Sequence, residues 1–433
     1  MIDRRTLIAT AGALAATSAA GAVPMRRSFP KGFLWGAATA GHQVEGNNVN
    51  ADVWLLENVK PTIFSEPSGD ADNSFELWQT DLDLVKRLGL DSYRFSLEWP
   101  RIEPEQGLWS IAMLDHYKRI VEGCRARGLT PIVTFNHYTT PRWFAARGGW
   151  VAADSAMLFA RFCDRAARHL ASGIGYATTL NEPNIMRILN YVLPPQFVAG
   201  QRAMLAAAAR ACGTTAFSAG NAVNPEDIDA VTHNLVAGHK AGREAIKSVR
   251  PDLPVGVSLS MFDDQPIGPG SKRDAMRREL YGIWLDAVKG DDFLGVQNYE
   301  RVLWGADGRL PPPKGATLNA MGGEVYAPSL ANAVRYAHAA TGVPILVTEH
   351  GVGTDDDRIR AALIPAALAE LRKAMDDGIP VKGYVHWSLI DNFEWISGFK
   401  GKLGLCSVDR TSFKRTPKPS AGIYGAIARG NSL

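Results

Sequence analysis

The chain has 433 residues, 46% of them hydrophobic and 21% charged, the proportions of a globular protein with ample core material, so disorder, collagen and coiled coil are excluded as descriptions of the whole. Lys and Arg number 47 against 44 Asp and Glu, a formal charge of +3, too balanced for the field that polyphosphate binding needs, and no nucleic-acid partner is expected. Cys124, Cys163, Cys212 and Cys406 are widely spaced with no Cys-x-x-Cys and read as small buried apolar side chains, while 11 tryptophans are an excess that their positions must explain.

The chain opens Met1-Ile2-Asp3-Arg4-Arg5-Thr6-Leu7-Ile8 and continues as an Ala-, Gly- and Thr-rich apolar stretch to about Val23. A basic start, a modestly apolar middle and the small-residue triplet Ala20-Gly21-Ala22 predict an export signal over residues 1–22, cleaved near Ala22. The paired arginines point to the twin-arginine route and a periplasmic bacterial protein. Thr6-Leu7-Ile8-Ala9 depart from the Phe and Lys that often follow them, so ordinary secretory export and a retained anchor stay open as alternatives. An anchor is disfavoured because alanine and glycine insert weakly and the run falls short of about 20 strongly apolar residues. Loss of residues 1–22 removes two arginines and one aspartate and lowers the charge from +3 to +2. No later segment reads as transmembrane, so no stable membrane insertion is expected after signal removal.

From about Ser28 onward, short β-rich runs alternate with longer helical patterns, punctuated by Gly or Pro. The predicted strands are Phe33–Thr39, Ser92–Glu98, Pro131–Asn136, Tyr176–Leu180, Val255–Ser260, Phe293–Tyr299, Ile345–Thr348 and Val381–Ser388. The predicted helices are Glu76–Leu88, Met113–Arg127, Ser155–Ala171, Asp227–Val249, Lys272–Lys289, Ser329–Thr341, Arg358–Asp377 and a last one near Ala421–Ala428. Eightfold alternation predicts an α/β fold, a single (β/α)8 TIM barrel over residues 23–433 with elaborated βα loops at its C-terminal face. A doubly wound open sheet is the alternative, but Gly41-His42-Gln43-Val44-Glu45-Gly46 does not supply its Gly-rich phosphate turn. Residues 190–226, rich in Ala, Gly, Asn and Pro, read as an elaborated loop over the barrel mouth.

Reactive groups in such barrels project from the C-terminal ends of the strands. The fourth strand ends Thr179-Leu180-Asn181-Glu182-Pro183-Asn184 and the seventh Val347-Thr348-Glu349-His350-Gly351. One strand-end glutamate is more often solvated or paired than reactive. Two of them, with Arg94, His137 and Tyr299 at the ends of other strands, have the composition that glycosidic-bond hydrolysis requires: one carboxyl protonates the departing oxygen, the other attacks or stabilises the cationic sugar carbon. A separation of about 5–5.5 Å would favour the retaining route. Arg94 can hold one carboxylate ionised, while burial and like-charge repulsion raise the other. Trp387 ends the eighth strand, Trp395 follows it, and Tyr138, Trp143 and Trp150 follow the third, an aromatic mouth suited to the apolar faces of a sugar. Trp35 and Trp284 lie inside a strand and a helix and are expected in the core.

Phe33-Leu34-Trp35-Gly36-Ala37-Ala38-Thr39-Ala40, Tyr93-Arg94-Phe95-Ser96, Thr179 to Asn184, Thr348-Glu349-His350-Gly351 and Trp387 to Trp395 resemble glycoside hydrolase family 1, in that family's order and across residues 29–428. The resemblance implies a retaining, exo-acting β-glycosidase that needs no cofactor or metal and takes a small β-glycoside or short oligosaccharide. It implies Glu182 as general acid and base and Glu349 as nucleophile, with Arg94 and Tyr299 steadying Glu349. It further implies that Gln43, His137, Asn181, Glu394 and Trp395 hold the non-reducing sugar over Trp387. Family members that act on 6-phosphorylated sugars replace the acidic residue found here as Glu394, which implies an unphosphorylated substrate. The chain departs from the family at Tyr138 (often Trp), Gln297 (often Asn), His350 (usually Asn) and Leu403 (commonly aromatic).

Two rival functions are open to the sequence. A metal-dependent barrel hydrolase would use His42, His137, His350 and His386, but the usual His-x-His on the first strand is missing. A sugar-binding protein without chemistry would have no use for both glutamates.

Overall fold

Eight runs of apolar and β-branched residues pair in parallel in a computed structural model that describes residues 28–433. They are β1 (Leu34–Ala38), β2 (Ser92–Ser96), β3 (Thr130–Asn136), β4 (Tyr176–Asn181), β5 (Val255–Ser260), β6 (Phe293–Asn298), β7 (Ile345–His350) and β8 (Val381–Trp387). Each strand pairs with its neighbour in the chain, and β8 closes on β1 from Leu34↔Gly383 to Ala38↔Trp387, so the sheet is a barrel with no free edge. Strands β2, β5, β6 and β7 are buried along their whole length. That is why β7 opens as the apolar run Ile345-Leu346-Val347 before its polar end.

The outer layer consists of the eight expected helices: Ser74–Leu88, Ile111–Ala126, Ser155–Leu170, Ile228–Val249, Arg273–Ala287, Ser329–Thr341, Asp357–Asp376 and Pro419–Gly430. Their ends follow local chemistry. Ser110 Oγ accepts from Met113 N and caps the second helix, and Gly89, at φ +84°, stops the first in the left-handed conformation that glycine adopts without steric cost. The expected export signal lies outside the described residues. No helix among the described residues is long and apolar enough to cross a membrane.

The segment between β4 and β5 corrects the loop expected over residues 190–226. It carries helices Ile185–Val192 and Pro195–Ala211 before its irregular part. The run Met204-Leu205-Ala206-Ala207-Ala208-Ala209 is made of strong helix formers. Small side chains blur the helical periodicity, which hid the helix. The irregular part is tied back at Gly220, whose N donates to Asp52 Oδ2 at 2.8 Å while Asp52 also accepts from the Thr140 amide and hydroxyl. A Cβ on Gly220 would lie 1.7 Å from the Tyr138 carbonyl oxygen, so only glycine fits there.

Cys124, Cys163 and Cys406 are buried, Cys212 is partly so, and none of the four is in a disulfide. Trp35 packs on Phe29, Phe33 and Tyr424, and Trp284 is 1% exposed, both in the main core as expected. Trp150 is a correction: it is 1% exposed and packs on Phe144 and Phe159, away from the barrel mouth. Trp143 is also turned away, its Nε1 donating to the Glu103 carbonyl at 3.0 Å.

Candidate active site

Glu349 is the penultimate residue of β7, and Glu182 immediately follows β4. Both strands have register irregularities at that end, between Val347 and Glu349 on β7 and between Thr178 and Asn181 on β4. Such irregularities re-aim side chains next to functional sites. Glu182 has φ +40°, unusual for a residue with a Cβ. Its backbone is held by Glu182 N donating to the Ser258 carbonyl at 2.8 Å, and Asn184 exchanges two hydrogen bonds with the Ser260 backbone.

Both carboxyls face one cavity of about 690 Å³ at the C-terminal end of the barrel. Gln43, His137, Asn181, Tyr299, Trp387, Glu394 and Trp395 line the same cavity, so every sequence-predicted sugar contact converges there. Arg94 lies behind it, fully buried, with Nη1 2.6 Å from Glu349 Oε1 and Nη2 donating to Asn181 Oδ1. Tyr299 Oη donates to Glu349 Oε2 at 2.6 Å, so each oxygen of this carboxyl has its own partner. Asn181 Oδ1 also accepts from Gln297 Nε2 at 2.8 Å, leaving Asn181 oriented by two donors. Gln43 Nε2 donates to the Phe393 carbonyl and to Asn392 Oδ1, which fixes the amide. Gln43 Oε1 and His137 Nδ1 are buried with no protein partner, as groups awaiting sugar hydroxyls would be.

The aromatic side of the cavity is layered. Trp395 stacks on His42 at 5.8 Å and on His137 at 6.3 Å, and His137 in turn stacks on Trp387 at 5.6 Å. Trp387 Nε1 points at Glu394 Oε1, 3.4 Å away. His42 Nε2 is paired with Glu57 Oε1 at 2.8 Å, while His350 and His386 both engage the Tyr384 hydroxyl, so His42 is committed apart from the other two.

Two contributors have roles that the sequence does not reveal. The Tyr138 hydroxyl donates to Glu182 Oε2, and Gln297 holds Asn181; in the sequence Tyr138 stands out as an aromatic residue of the mouth and a family departure, and Gln297 as a family departure alone. Their place just after β3 and near the end of β6 is the available signal.

The two carboxyls differ in what surrounds them. Burial, and then the charge of Glu349, push Glu182 up to about 7, against hydrogen bonds from Tyr138 and Ser260. Burial also raises Glu349, but the Arg94 guanidinium leads the groups that oppose it, followed by Tyr299. A proton shared by the coupled pair therefore resides on Glu182, and the negative charge on Glu349. Burial pushes Glu394 up to about 8, with the Trp387 hydrogen bond acting against it. Burial and the charge of Arg94 hold His137 well below the ordinary imidazole range, so it is neutral in the cavity.

A family model for Glycosyl hydrolase family 1 matches residues 25–293 and 316–433. Thermostable beta-glucosidase B of Thermobispora bispora is 30% identical, over 98% of this chain and 94% of its own. A beta-glucosidase of Agrobacterium sp. is 29% identical, over 93% of this chain and 95% of its own. Among solved structures, beta-glycosidase BGL167 is similar at 46% identity and a TM-score of 0.89, covering 94% of this chain and 98% of that one. With the barrel, the paired carboxyls and this match along nearly all of its described length, the chain belongs to glycosyl hydrolase family 1.

Proposed function

We propose that the protein is a retaining, exo-acting β-glycosidase of unphosphorylated β-glycosides, in which Glu349 is the nucleophile and Glu182 the acid and base. The observation that carries this assignment is the asymmetry of the two carboxyls: Arg94 and Tyr299 bracket Glu349, while Glu182 has only neutral donors in contact and is pushed up to about 7. Glu349 attacks the anomeric carbon as the bond to the leaving oxygen breaks. Glu182 delivers its proton to that oxygen, so the aglycone departs as a neutral alcohol. Glu182, now ionised, takes a proton from water, whose oxygen attacks the same carbon from the face the aglycone left and releases Glu349. Two inversions return the β-anomer. Gln43, His137, Asn181, Glu394 and Trp395 bind the hydroxyls of the non-reducing sugar above Trp387.

The test is to incubate purified protein with a nitrophenyl β-glucoside, with no metal added, and to follow the first-formed sugar by proton NMR. The expected product is β-glucose, and Glu349→Gln should abolish its formation. First-formed α-glucose, or an undiminished rate in Glu349→Gln, would overturn the assignment.

Residues 1–22 act in this proposal as an export signal of the twin-arginine type, which delivers the folded enzyme to the periplasm. The support is in the sequence: Arg4-Arg5, the apolar stretch after them and Ala20-Gly21-Ala22.

A further inference from the structure

Glu182 defines the leaving-group side of the cavity, because its proton goes to the departing oxygen; any reading of that side rests on the proposed role of Glu182 as the acid. Helix Ile185–Val192 begins three residues after Glu182, and Ile185, Met186 and Leu189 from one face of it line the cavity. Ile188, on the other side of the helix, is 2% exposed in the main core. Helix Pro195–Ala211 adds Phe197 and Met204, and Phe64 lies on the lining as well. Met321, 79% exposed, extends the apolar lining to the mouth.

Hydrogen-bonding groups are sparse on these two helices. Gln201 is the polar lining residue they contribute, and its Nε2 is already given to the Val223 carbonyl at 2.6 Å. Asn221, farther along the segment, offers one buried acceptor without a partner. The sugar site beneath is the opposite, with Gln43, His137, Asn181 and Glu394 turned inward. Ser65, Ser260, Ser397 and Lys400 also line the cavity but come from other segments. A second sugar ring laid against the two helices would bring its hydroxyls to apolar side chains that cannot satisfy them, and each unsatisfied buried group costs binding energy. Apolar side chains lining a cavity, by contrast, gain from any apolar group that covers them.

We propose that the leaving-group side of the cavity selects an extended apolar aglycone, an alkyl or aryl-ring framework, over a second sugar. Helices Ile185–Val192 and Pro195–Ala211 are then the determinant of aglycone choice.

The experiment compares kcat/KM for methyl β-glucoside, octyl β-glucoside below its micellar concentration, and cellobiose. Methanol and octanol are alcohols of similar acidity, so the octyl-to-methyl ratio reads contact with the wall and not leaving-group chemistry. The sugar hydroxyl that leaves from cellobiose is more acidic, which favours cellobiose and works against the expected order. Octyl glucoside should exceed both others by about 100-fold, which is what burial of roughly four methylenes delivers. Leu189→Gln and Phe197→Gln should each cut the octyl-to-methyl ratio about tenfold. An octyl advantage of about tenfold or less over methyl glucoside or cellobiose overturns the proposal, even if a variant fails to fold. Turnover of nitrophenyl β-glucoside with no octyl advantage would sink this inference and leave the hydrolase assignment standing. No turnover of any of these glucosides would sink both.

Discussion

The hydroxyl of Tyr138 donates a hydrogen bond to Glu182 Oε2, so the carboxyl assigned as acid has a tyrosine of its own, as Glu349 has Tyr299. The difference between the two carboxyls is Arg94, which touches only Glu349. A neutral donor moderates a carboxyl pKa, whereas a buried cation in contact moves it far. Tyr138 therefore trims the proton affinity of Glu182 without emptying it.

Tyr138→Phe tests that role. The lost hydrogen bond favoured the ionised form, so the Glu182 pKa should rise above about 7. As the proposed acid, Glu182 is protonated for the first step, so activity should persist to higher pH. The alkaline limb of the kcat/KM profile should move up by about one to two pH units, the worth of one hydrogen bond to a charged group. An unmoved or lowered limb would show that Tyr138 does not act through this carboxyl.

Glu182→Ala should separate substrates by leaving group. Those with strongly basic leaving groups need the proton and should slow by at least about 100-fold, while dinitrophenyl glucosides, which leave unassisted, should keep most of their glycosylation rate. Azide should restore turnover of the activated substrate and give the β-glycosyl azide, since a small anion can replace the water that Glu182 would have deprotonated. Equal slowing of both substrates would contradict the acid assignment.

Trp99 is fully buried against Phe144, Phe159 and Phe162, with Nε1 donating to the buried Glu103 carboxylate at 2.8 Å. Trp99→Ala should cost about 3–5 kcal/mol in denaturant-induced unfolding, because it leaves both a cavity and an unpaired acceptor on Glu103. Trp99→Phe fills most of the space and should cost clearly less. Similar midpoints for the two variants would mean that packing around this ring is not what holds the segment.

Replacing Arg4-Arg5 by Lys-Lys tests the proposed export. The precursor should accumulate in the cytoplasm, and cell fractionation with immunoblotting of the chain reads this directly. Undiminished periplasmic enzyme would point to ordinary secretory export.

Most of the barrel is readable in the sequence because its signal is local. Each barrel strand is a short β-rich run followed by a longer helical pattern, and the expected strand Val255–Ser260 coincides with β5 to the residue. Glu182 and Glu349 are readable for the same reason, as polar residues ending apolar strands. What escapes depends on distant partners. Trp150 faces the core because Gly238, on helix Ile228–Val249, leaves room for its ring; a Cβ there would lie 2.7 Å from it. No pattern near Trp150 encodes that. Helix Pro195–Ala211 escapes because alanines supply helix propensity without periodicity, and the small sheet of Asp263–Pro266, Arg301–Gly305 and Gly308–Leu310 because its strands are only three to five residues long.

Gly220 joins two parts of the enzyme that an engineer would want to vary separately. The segment that carries the apolar wall rests, through this one glycine, on the carbonyl of the tyrosine that donates to Glu182. If the proposed roles hold, a graft that exchanges residues 185–226 for the corresponding stretch of another family member should alter aglycone choice, and should also disturb protonation of Glu182 unless the glycine and its Asp52 staple are carried across. Libraries confined to the two helices should change the first while sparing the second.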